Sequence, residues 1–339
     1  MDIENKHLCT LCDSLADMTF RGMEGYVKGT KFNVYECKNC QSSFVDPMSN
    51  LKEQYDIIYG GDTTKDAGYN YYYYLANGVK KLSNPLKDLS NYSAIFWGVI
   101  KAIKDRKINN GAKMLEVGSG LGYLTYAFNK AGYDCEGLDY SDTATDFANN
   151  FYGKKFFQGT VEDFSLNHLS VYDVIVATEV IEHVVDPNLF VKNIMNMLKP
   201  GGTLIITTPI KDIHPTGTIW ETNPAPEHLW WFTEKGIKEV GMKNNAVVSF
   251  IDFTEYTKNK VWSVNLGTAN TAPNKGQVVD KDGHLINLRK KGYKEKVMSI
   301  IPAWLYMKLV IFYHNLRFLQ KNKTPTRYMY GMCAVFIKN

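Results

Sequence analysis

The sequence of 339 residues has few cysteines, little charge imbalance and no hydrophobic run long enough to cross a bilayer. Six cysteines are too sparse for a disulfide scaffold. The 39 Lys and Arg residues against 35 Asp and Glu residues leave a net charge of +4, which predicts no strong field for polyanions and gives nucleic-acid binding no support. With 45% hydrophobic and 22% charged residues, the composition is typical of a soluble globular protein and excludes disorder, collagen-like repeats and coiled coils as the main architecture.

The N-terminus lacks a basic segment followed by an apolar one, so no signal peptide is predicted and a cytoplasmic location is the default expectation. The most hydrophobic stretch, 297–312, is interrupted by Pro302 and Lys308 and is shorter than the roughly 20 residues of a spanning helix. Basic residues flank this stretch: Lys291, Lys294, Lys296, Arg317, Lys321 and Lys323. Two interpretations stay open, namely a buried helix that caps the core and a peripheral membrane contact through residues 296–320.

Four of the six cysteines form two close pairs, Cys9-x-x-Cys12 and Cys37-x-x-Cys40. Two such pairs supply four thiolates, the tetrahedral ligand set that structural zinc prefers. Because cysteine fills all four ligand positions, we expect a structural site without an open catalytic position. Redox-active dithiols and an iron–sulfur cluster are the alternatives.

Strand-like and helix-like segments alternate at least four times after residue 112. This alternation predicts an α/β fold with a doubly wound, mostly parallel sheet. Ser141 and the pair Asp186-Pro187 are typical helix starts. We expect strands at 114–117, 133–139, 155–158, 172–177 and 203–208, and helices at 123–130, 141–151 and 187–198.

The chain divides by composition into five predicted segments. They are a zinc-binding module at 1–48, a tyrosine-rich helical connector or substrate lid at 49–110, a ligand-binding α/β domain at 111–254, an insertion or helical subdomain at 255–327, and a last sheet strand at 328–339. The oligomeric state is not predicted by any of these segments.

A glycine-rich turn follows the first strand of the α/β domain, in the segment 115–122. Gly118, Gly120 and Gly122 let the backbone curl and let a ligand approach where a Cβ would clash. The next helix begins at once, so its free amide groups can face an anionic group. The GxGxG spacing differs from the GxGxxG of dinucleotide-binding turns. The turn alone therefore does not identify the ligand, and residues later in the chain are needed to do so.

Acidic residues follow the next two strands. Asp139 ends the second strand, where a carboxylate can accept hydrogen bonds from both hydroxyls of a ribose, and Asp163 after the third could accept from an adenine amino group. Tyr140 and Phe164 would supply apolar surfaces beside the base. Because the carboxyl ends of parallel strands line the ligand crevice, these residues together predict a nucleoside site.

With these motifs in order, residues 112–210 resemble the class I S-adenosylmethionine-dependent methyltransferase family. The segment 115–122 (LEVGSGLG) is similar to the family's glycine motif, and Asp139 and Asp163 stand at its ribose and adenine positions. The segment 177–184 (ATEVIEHV) resembles its fourth-strand motif.

The resemblance implies that S-adenosylmethionine is the cofactor and that the three glycines surround its methionine portion. Glu116 would support that pocket, and Glu179 in the fourth-strand motif would lie beside the cofactor. The resemblance also implies a seven-stranded, Rossmann-like sheet whose last strand is antiparallel, which suits residues 328–337.

The acceptor of the methyl group needs a base if it is a hydroxyl, and histidine suits that task by its pKa. His183 lies just after the fourth strand, and His228 follows Glu227 after the fifth strand. We hypothesise that His183, His228 and Glu227 form the catalytic group.

A CxxC…CxxC module before a class I domain resembles bacterial methyltransferases of sugar and surface-polysaccharide pathways, above all the nucleotide-sugar C-methyltransferases. The pair Glu227-His228, His183 and one tyrosine of the run 69–74 resemble residues of that group. Residues 255–339 are too few for the further C-terminal domain of those enzymes, which leaves O- and C-methylation of a glycan precursor both open. The alternatives are a lipid or quinone acceptor at a membrane, and a zinc-module binding protein with an inactive methyltransferase fold.

Overall fold

A computed structural model describes residues 6–48, 67–214, 218, 225, 227–261, 280, 286, 300–316 and 323–339, with the backbone alone for residues 67–70. The predicted connector residues 49–66, the side chain of Tyr69 and most of the predicted insertion at 255–327 lie outside the described residues, as do Lys291, Lys294, Lys296, Arg317 and Lys321. The strands are β1 (Lys6–Cys9), β2 (Ser14–Glu24), β3 (Lys31–Cys37), β4 (Ser43–Asp46), β5 (Lys113–Val117), β6 (Asp134–Asp139), β7 (Phe156–Gln158), β8 (Tyr172–Thr178), β9 (Leu198–Pro209), β10 (Trp230–Trp231), β11 (Ala246–Phe250) and β12 (Gly331–Lys338). The helices are α1 (Ala67–Lys80), α2 (Pro85–Tyr92), α3 (Ala94–Asp105), α4 (Tyr123–Lys130), α5 (Asp142–Tyr152), α6 (Val161–Leu166), α7 (Pro187–Met197), α8 (Glu234–Lys243), α9 (Thr254–Asn259) and α10 (Ala303–His314), and Ile181–His183 form a 3₁₀ turn.

The central sheet has seven strands in the order β11-β12-β9-β8-β5-β6-β7. Neighbours from β9 to β7 in this order pair in parallel, whereas β12 runs antiparallel to both β9 and β11. The predicted doubly wound, mostly parallel sheet with an antiparallel last strand is therefore confirmed. In this topology the ends of β5, β6 and β8 meet at one edge, where ligands bind in open α/β sheets.

Both faces of this sheet are covered, which explains the continuous apolar runs of its parallel strands. Along β8, Ile175 and Ala177 pack into one hydrophobic cluster, whereas Val174 and Val176 pack into the other. The first cluster contains side chains from α7 and α8, and the second contains side chains from α1 to α4 and α10. Because successive side chains of a strand point to opposite faces of the sheet, the core has two layers, one on each face.

The helix starts predicted from the sequence are those of the structure. The Ser141 hydroxyl accepts a hydrogen bond from the Ala144 amide at 3.2 Å and begins α5. The Asp186 carboxylate accepts from the amides of Asn188 and Leu189 at 2.9 and 3.0 Å, with Pro187 in the first turn of α7. These side chains satisfy amide groups that have no partner within the helix.

One local prediction differs from the structure. The sequence predicts the fifth strand at 203–208, but β9 already begins at Leu198. The register changes between the pairs Tyr172↔Leu198 and Val174↔Thr203, and Gly201 has a φ of 72° there. The glycine therefore allows an irregular widening within the strand instead of a break before it.

A second, five-stranded sheet has the order β1-β2-β3-β4-β10 and is antiparallel throughout. Its first four strands come from the N-terminal cysteine-containing segment. Its fifth strand, β10, comes from far along the chain, directly after Glu227 and His228. The two sheets are thus joined by the segment that carries the predicted Glu-His pair.

Candidate active site

A cavity of about 810 Å³ opens at the carboxyl ends of β5, β6 and β8. The glycine turn after β5 and the end of β6 form one part of its wall, and the 3₁₀ turn with residues 227–228 forms another. Most of the residues predicted for the cofactor and all those predicted for catalysis meet in this one space.

The glycine turn adopts the backbone that its sequence requires. Gly118, Gly120 and Gly122 have φ angles of 71°, 49° and 79°. A Cβ on Gly118 would clash with the Val180 side chain. Gly118 and Gly120 line the cavity, whereas Gly122 lies behind the wall, where a Cβ would come within 2.6 Å of the Phe156 ring. The third glycine therefore serves helix packing at the start of α4.

Asp139 is buried at the end of β6 and lines the cavity. Its Oδ2 accepts a hydrogen bond from the Gly120 amide at 2.6 Å, and its Oδ1 accepts from the Ser141 amide at 2.9 Å. Burial raises the pKa of Asp139, and these amide hydrogen bonds oppose that shift. The neighbouring Tyr140 also lies in the wall. A carboxylate oxygen can accept a second bond, so Asp139 is placed to join the turn to a ligand.

The structure places Asp163 and Phe164 differently from the prediction. Asp163 accepts a hydrogen bond from the Thr160 hydroxyl at 2.9 Å while its amide donates back to Thr160, which begins α6. The Phe164 ring stacks on His168, with 3.8 Å between centroids. Neither residue lines the cavity, where the wall is formed by the segment from Gly159 to Glu162. Glu162, one residue earlier on the same helix, lines the cavity instead.

Glu116 lies within β5 and is fully buried against the base of α4. Its carboxylate accepts hydrogen bonds from the Thr125 amide at 2.7 Å and from the Thr125 hydroxyl. Burial raises the pKa of Glu116 to about 8. The carboxyl group is therefore mostly protonated near neutral pH, and a positively charged ligand next to it would favour its ionised form.

The predicted histidines meet at the other side of the cavity. The His183 and His228 rings lie edge to face, with centroids 4.7 Å apart and 80° between their planes. His183 Nδ1 is hydrogen-bonded to the Glu227 carbonyl oxygen, and His183 Nε2 lies 3.9 Å from the carboxylate of Glu182. Because a carbonyl oxygen can only accept, Nδ1 carries the proton and Nε2 is the basic nitrogen of the neutral ring. Burial lowers the pKa of His183 to about 4, which keeps this ring neutral at physiological pH.

Three glutamates lie beside the histidines: Glu182 is buried, and Glu179 and Glu227 are half-buried. Glu179, in a left-handed conformation with φ of 55°, accepts a hydrogen bond from the Thr207 hydroxyl at 2.9 Å, and Glu182 accepts from the Thr208 hydroxyl at the same distance. Burial raises the pKa of Glu179 and of Glu227 to about 7, and it raises that of Glu182 as well. The group can therefore hold or release protons near neutral pH.

Of the tyrosines at 69–74 whose side chains are described, Tyr72 is the one that lines the cavity. The others have packing partners: Tyr71 with Tyr92, Tyr73 with Phe147, and Tyr74 with the Ile301 carbonyl. Phe96 and Tyr330 also line the cavity, and neither was predicted. They are brought there by α3 and by the start of β12, and no motif in the sequence marks them.

The four predicted metal ligands converge within the N-terminal sheet. The sulfur atoms of Cys9, Cys12, Cys37 and Cys40 all lie within 4.8 Å of one another, with 3.7 Å between Cys9 and Cys40 and 3.4 Å between Cys12 and Cys37. Four thiols at this spacing fit a single tetrahedral metal ion such as zinc. Ligand atoms of Glu182, His183 and His228 also lie within 4.8 Å of one another, a spacing that a cation could bridge.

Comparison with known proteins agrees with this fold. A family model for the methyltransferase domain matches residues 79–249, half of the chain. The ubiquinone biosynthesis O-methyltransferase of Actinobacillus pleuropneumoniae is 36% identical over 107 residues, which cover 29% of this chain and 46% of that protein. The enzyme of the same name from Vibrio parahaemolyticus is 26% identical over 187 residues, covering 53% and 78%. The mitochondrial one from Bos taurus is 29% identical over 181 residues, covering 46% and 48%.

The chain spans about half the length of the first of these relatives. The match includes the glycine turn, Asp139 and the 3₁₀ turn with His183, all of which line the cavity. The family model, the sheet order and the cavity at the strand ends lead to one assignment: the chain belongs to the methyltransferase domain family and has the class I S-adenosylmethionine-dependent fold.

Proposed function

We propose that this protein transfers the methyl group of S-adenosylmethionine to a hydroxyl group of a quinone-type or lipid-borne acceptor. The observation that carries the proposal is the composition of the cavity. A pair of histidines, His228 buried and His183 half-buried, shares it with the aromatic side chains of Tyr72, Phe96 and Tyr330. A planar, apolar ring that bears a hydroxyl group matches both parts of such a wall.

On the cofactor side, the turn at Gly118 and Gly120 would leave room for the methionine portion, and Asp139 would accept from the ribose hydroxyls. The positively charged end of the molecule would favour the ionised form of Glu116, buried beneath the turn, and the ionised carboxylate would in turn stabilise that charge. S-adenosylmethionine supplies a methyl group already activated on a sulfonium. The protein therefore needs mainly to align the acceptor and to remove its proton.

On the acceptor side, Nε2 of His183 would accept the proton of the attacking hydroxyl. The hydroxyl oxygen then forms a bond to the methyl carbon while the carbon–sulfur bond breaks, leaving a neutral thioether. The carboxyl group of Glu182, 3.9 Å from Nε2, would stabilise the imidazolium that forms when this carboxyl group is ionised. The hydrogen bond from Nδ1 to the Glu227 carbonyl oxygen holds the ring in the tautomer that this step needs.

The class of acceptor is supported by two further observations. The relatives from Actinobacillus, Vibrio and Bos taurus are ubiquinone biosynthesis O-methyltransferases. In addition, α10 packs by Ala303 and Met307 against α1, the helix that carries Tyr72, and leaves Leu309 and Phe312 51% and 64% exposed. Among the described residues, no helix is long and apolar enough to cross a bilayer.

We further propose that this exposed side of α10 contacts an anionic membrane surface. Trp304 and Tyr313 add to its apolar area, and Ile300 just before the helix is 81% exposed. Basic residues flank the segment in the sequence, which complements negatively charged headgroups. A membrane contact beside the helix of Tyr72 would bring a lipid-borne acceptor close to the cavity.

Methylation of a nucleotide sugar is the second candidate, and one observation favours it. The structure brings Tyr72, His183, Glu227 and His228 into one cavity, and these residue types are the ones that the resemblance to nucleotide-sugar C-methyltransferases named. In both candidates we propose zinc as the structural metal of the four cysteines.

Transfer of labelled methyl from S-adenosylmethionine to an acceptor panel separates the candidates. The panel contains polyprenyl-substituted phenols and catechols in anionic vesicles, and a set of nucleotide sugars in buffer. The proposal predicts label in the solvent-extractable phase. Label in the nucleotide-sugar fraction alone would overturn the quinone-type assignment in favour of the second candidate, and label in neither fraction would reject both.

A further inference from the structure

The segment that carries Glu227 and His228 into the cavity is also a part of the cysteine-containing sheet. Immediately after His228, β10 pairs with β4 in the register Trp230↔Phe44 and Trp231↔Ser43. The Val45 amide donates a hydrogen bond to the Leu229 carbonyl at 3.1 Å and extends this pairing toward His228. The backbone beside the predicted catalytic pair is therefore held by a strand of the N-terminal module.

The other side of the same segment is bound to the turn that carries His183. The Leu229 amide donates to the Glu182 carbonyl at 2.8 Å, and the Trp230 indole nitrogen donates to the Val184 carbonyl at 3.1 Å. Leu229 thus uses its carbonyl for the module and its amide for the acceptor side of the cavity. A displacement of β4 would therefore shift His228 and also the turn that carries His183.

The loop of the second cysteine pair is tied to the same segment. The Thr233 hydroxyl donates to the Cys40 carbonyl at 2.5 Å, and the Thr233 amide donates to the Ser42 hydroxyl at 3.1 Å. Thr233 is also the N-cap of α8, where its hydroxyl accepts from the Gly236 amide at 3.0 Å. The backbone of Cys40, a proposed metal ligand, is therefore hydrogen-bonded directly to Thr233, which follows β10 by two residues.

A buried ion pair reinforces the junction. Lys211, just after β9 and only 9% exposed, lies with its Nζ 2.5 Å from Glu36 Oε2. The same ammonium donates to the Gln41 carbonyl and to the Ser43 hydroxyl, each at 2.7 Å. A buried charge is costly without such partners, so the position of residues 36–43 and the end of β9 depend on each other.

We propose that metal bound by Cys9, Cys12, Cys37 and Cys40 positions the Glu227-His228 segment, so that occupancy of this distant centre controls the acceptor half of the cavity. This inference rests on the proposed role of that pair. The cysteines touch neither substrate nor cofactor and act through β4 and Thr233 as positioning residues. Without metal, four thiols held this closely would separate, and the loop at 37–42 would lose the geometry that Thr233 requires.

The cofactor half of the cavity has a different support. Gly118 directly follows β5 and Asp139 ends β6, and among the described strands β5 and β6 pair only with other strands of the central sheet. Loss of the metal should therefore leave the affinity for S-adenosylmethionine largely intact while it disorders residues 227–233. This separation distinguishes positioning from general stabilisation of the fold.

The test follows hydrogen exchange of peptides covering 227–233, binding of S-adenosylmethionine by calorimetry and metal content in the full chain. Chelation is expected to accelerate exchange of the Leu229 and Thr233 amides at least about tenfold, with cofactor affinity changed less than about threefold. Zinc added back should restore protection. These readouts need no acceptor, so they remain informative if the proposed acceptor class is wrong; once an acceptor is known, kcat should fall with the KM for S-adenosylmethionine unchanged.

A second variant covers the case in which chelation unfolds the protein. Lys211→Met removes the ammonium but leaves all four cysteines, and it should accelerate the same exchange with metal content unchanged. Lys38→Ala, which removes an exposed pair with Asp17 at 2.9 Å on the module, is the matched control and should behave like the wild type. If metal-free protein, or Lys211→Met when the metal-free form unfolds, keeps wild-type protection at 227–233, the positioning role is refuted.

Discussion

The imidazole rings of His183 and His228 meet edge to face, with 4.7 Å between their centroids, although 44 residues separate them in the chain. His183 arrives on the 3₁₀ turn after β8, and His228 arrives on the segment that leads into β10. The hydrogen bond from the Leu229 amide to the Glu182 carbonyl joins the two segments. The acceptor side of the cavity is thus assembled from two sheets.

Two substitutions distinguish the contributions of Asp139 and Asp163 to cofactor binding. Asp139→Ala should weaken S-adenosylmethionine binding about 10- to 100-fold, because a charge-assisted hydrogen bond is worth roughly 1.5–3 kcal/mol. Asp163→Asn should bind nearly as the wild type does, because Asp163 faces Thr160 and not the cavity. Calorimetry measures both, and equal losses for the two variants would contradict the orientation of Asp163 away from the cofactor.

Gly118 should be intolerant of a side chain for two reasons. In Gly118→Ala the new Cβ would meet Val180, and the φ of 71° would strain an L-residue. Gly153 has a φ of 105° and open space around it, so Gly153→Ala carries the strain alone. We expect both variants to lose about 1–3 kcal/mol of unfolding free energy in urea, and only Gly118→Ala to lose cofactor affinity as well. Undiminished affinity in Gly118→Ala would show that the turn does not hold the cofactor.

The carboxyl group of Glu116 should make the free protein less stable as the pH rises. Its pKa is raised from 4.5 to about 8, so the folded state retains a proton that the unfolded state has lost between these values. The free energy of unfolding therefore falls with pH, by up to about 1.4 kcal/mol per pH unit for this one group. Glu116→Gln should remove that part of the slope between about pH 5 and about pH 8. Equal slopes for the two proteins in urea titrations would mean that Glu116 is ionised in the folded protein.

The exposed side of α10 should decide membrane association. Leu309→Glu combined with Phe312→Glu is expected to reduce flotation with anionic vesicles at least about tenfold, because apolar area and charge attraction are both diminished. Leu166 and Met242 are 72% and 61% exposed elsewhere on the surface, and the same double change there is the matched control. A shift in sedimentation velocity with unchanged flotation would instead assign this side of α10 to a contact between two copies of the chain.

The sequence predicted the sheet and the cofactor side of the cavity because those features are local. Strand, glycine turn and helix follow one another between residues 113 and 130, and Ser141 and Asp186 begin helices by contacts within three residues. Asp163 lies outside the cavity wall because its carboxylate accepts from the Thr160 hydroxyl at the start of α6, a local contact that the strand-end pattern does not record.

The remaining parts of the site depend on contacts distant in sequence. Tyr330 and Phe96 reach the cavity through the packing of β12 and α3, which no local pattern records. The pairing of β10 with β4 joins residues about 190 positions apart, as the bond from Thr233 to Ser42 shows. Such pairing follows from the tertiary fold. The sequence could therefore identify His228 as a candidate but could not predict the contacts that position it.

The rate of methyl transfer in His183→Gln and His228→Gln tests the role of the histidine pair most directly, with the acceptor that the panel identifies and cofactor at saturation. His168→Gln is the control, since that ring stacks on Phe164 outside the cavity. We predict a single-turnover rate at least about 100-fold lower for one or both of the first two variants, with unchanged affinity for S-adenosylmethionine. Near wild-type rates in both variants would contradict a histidine-assisted transfer in this cavity.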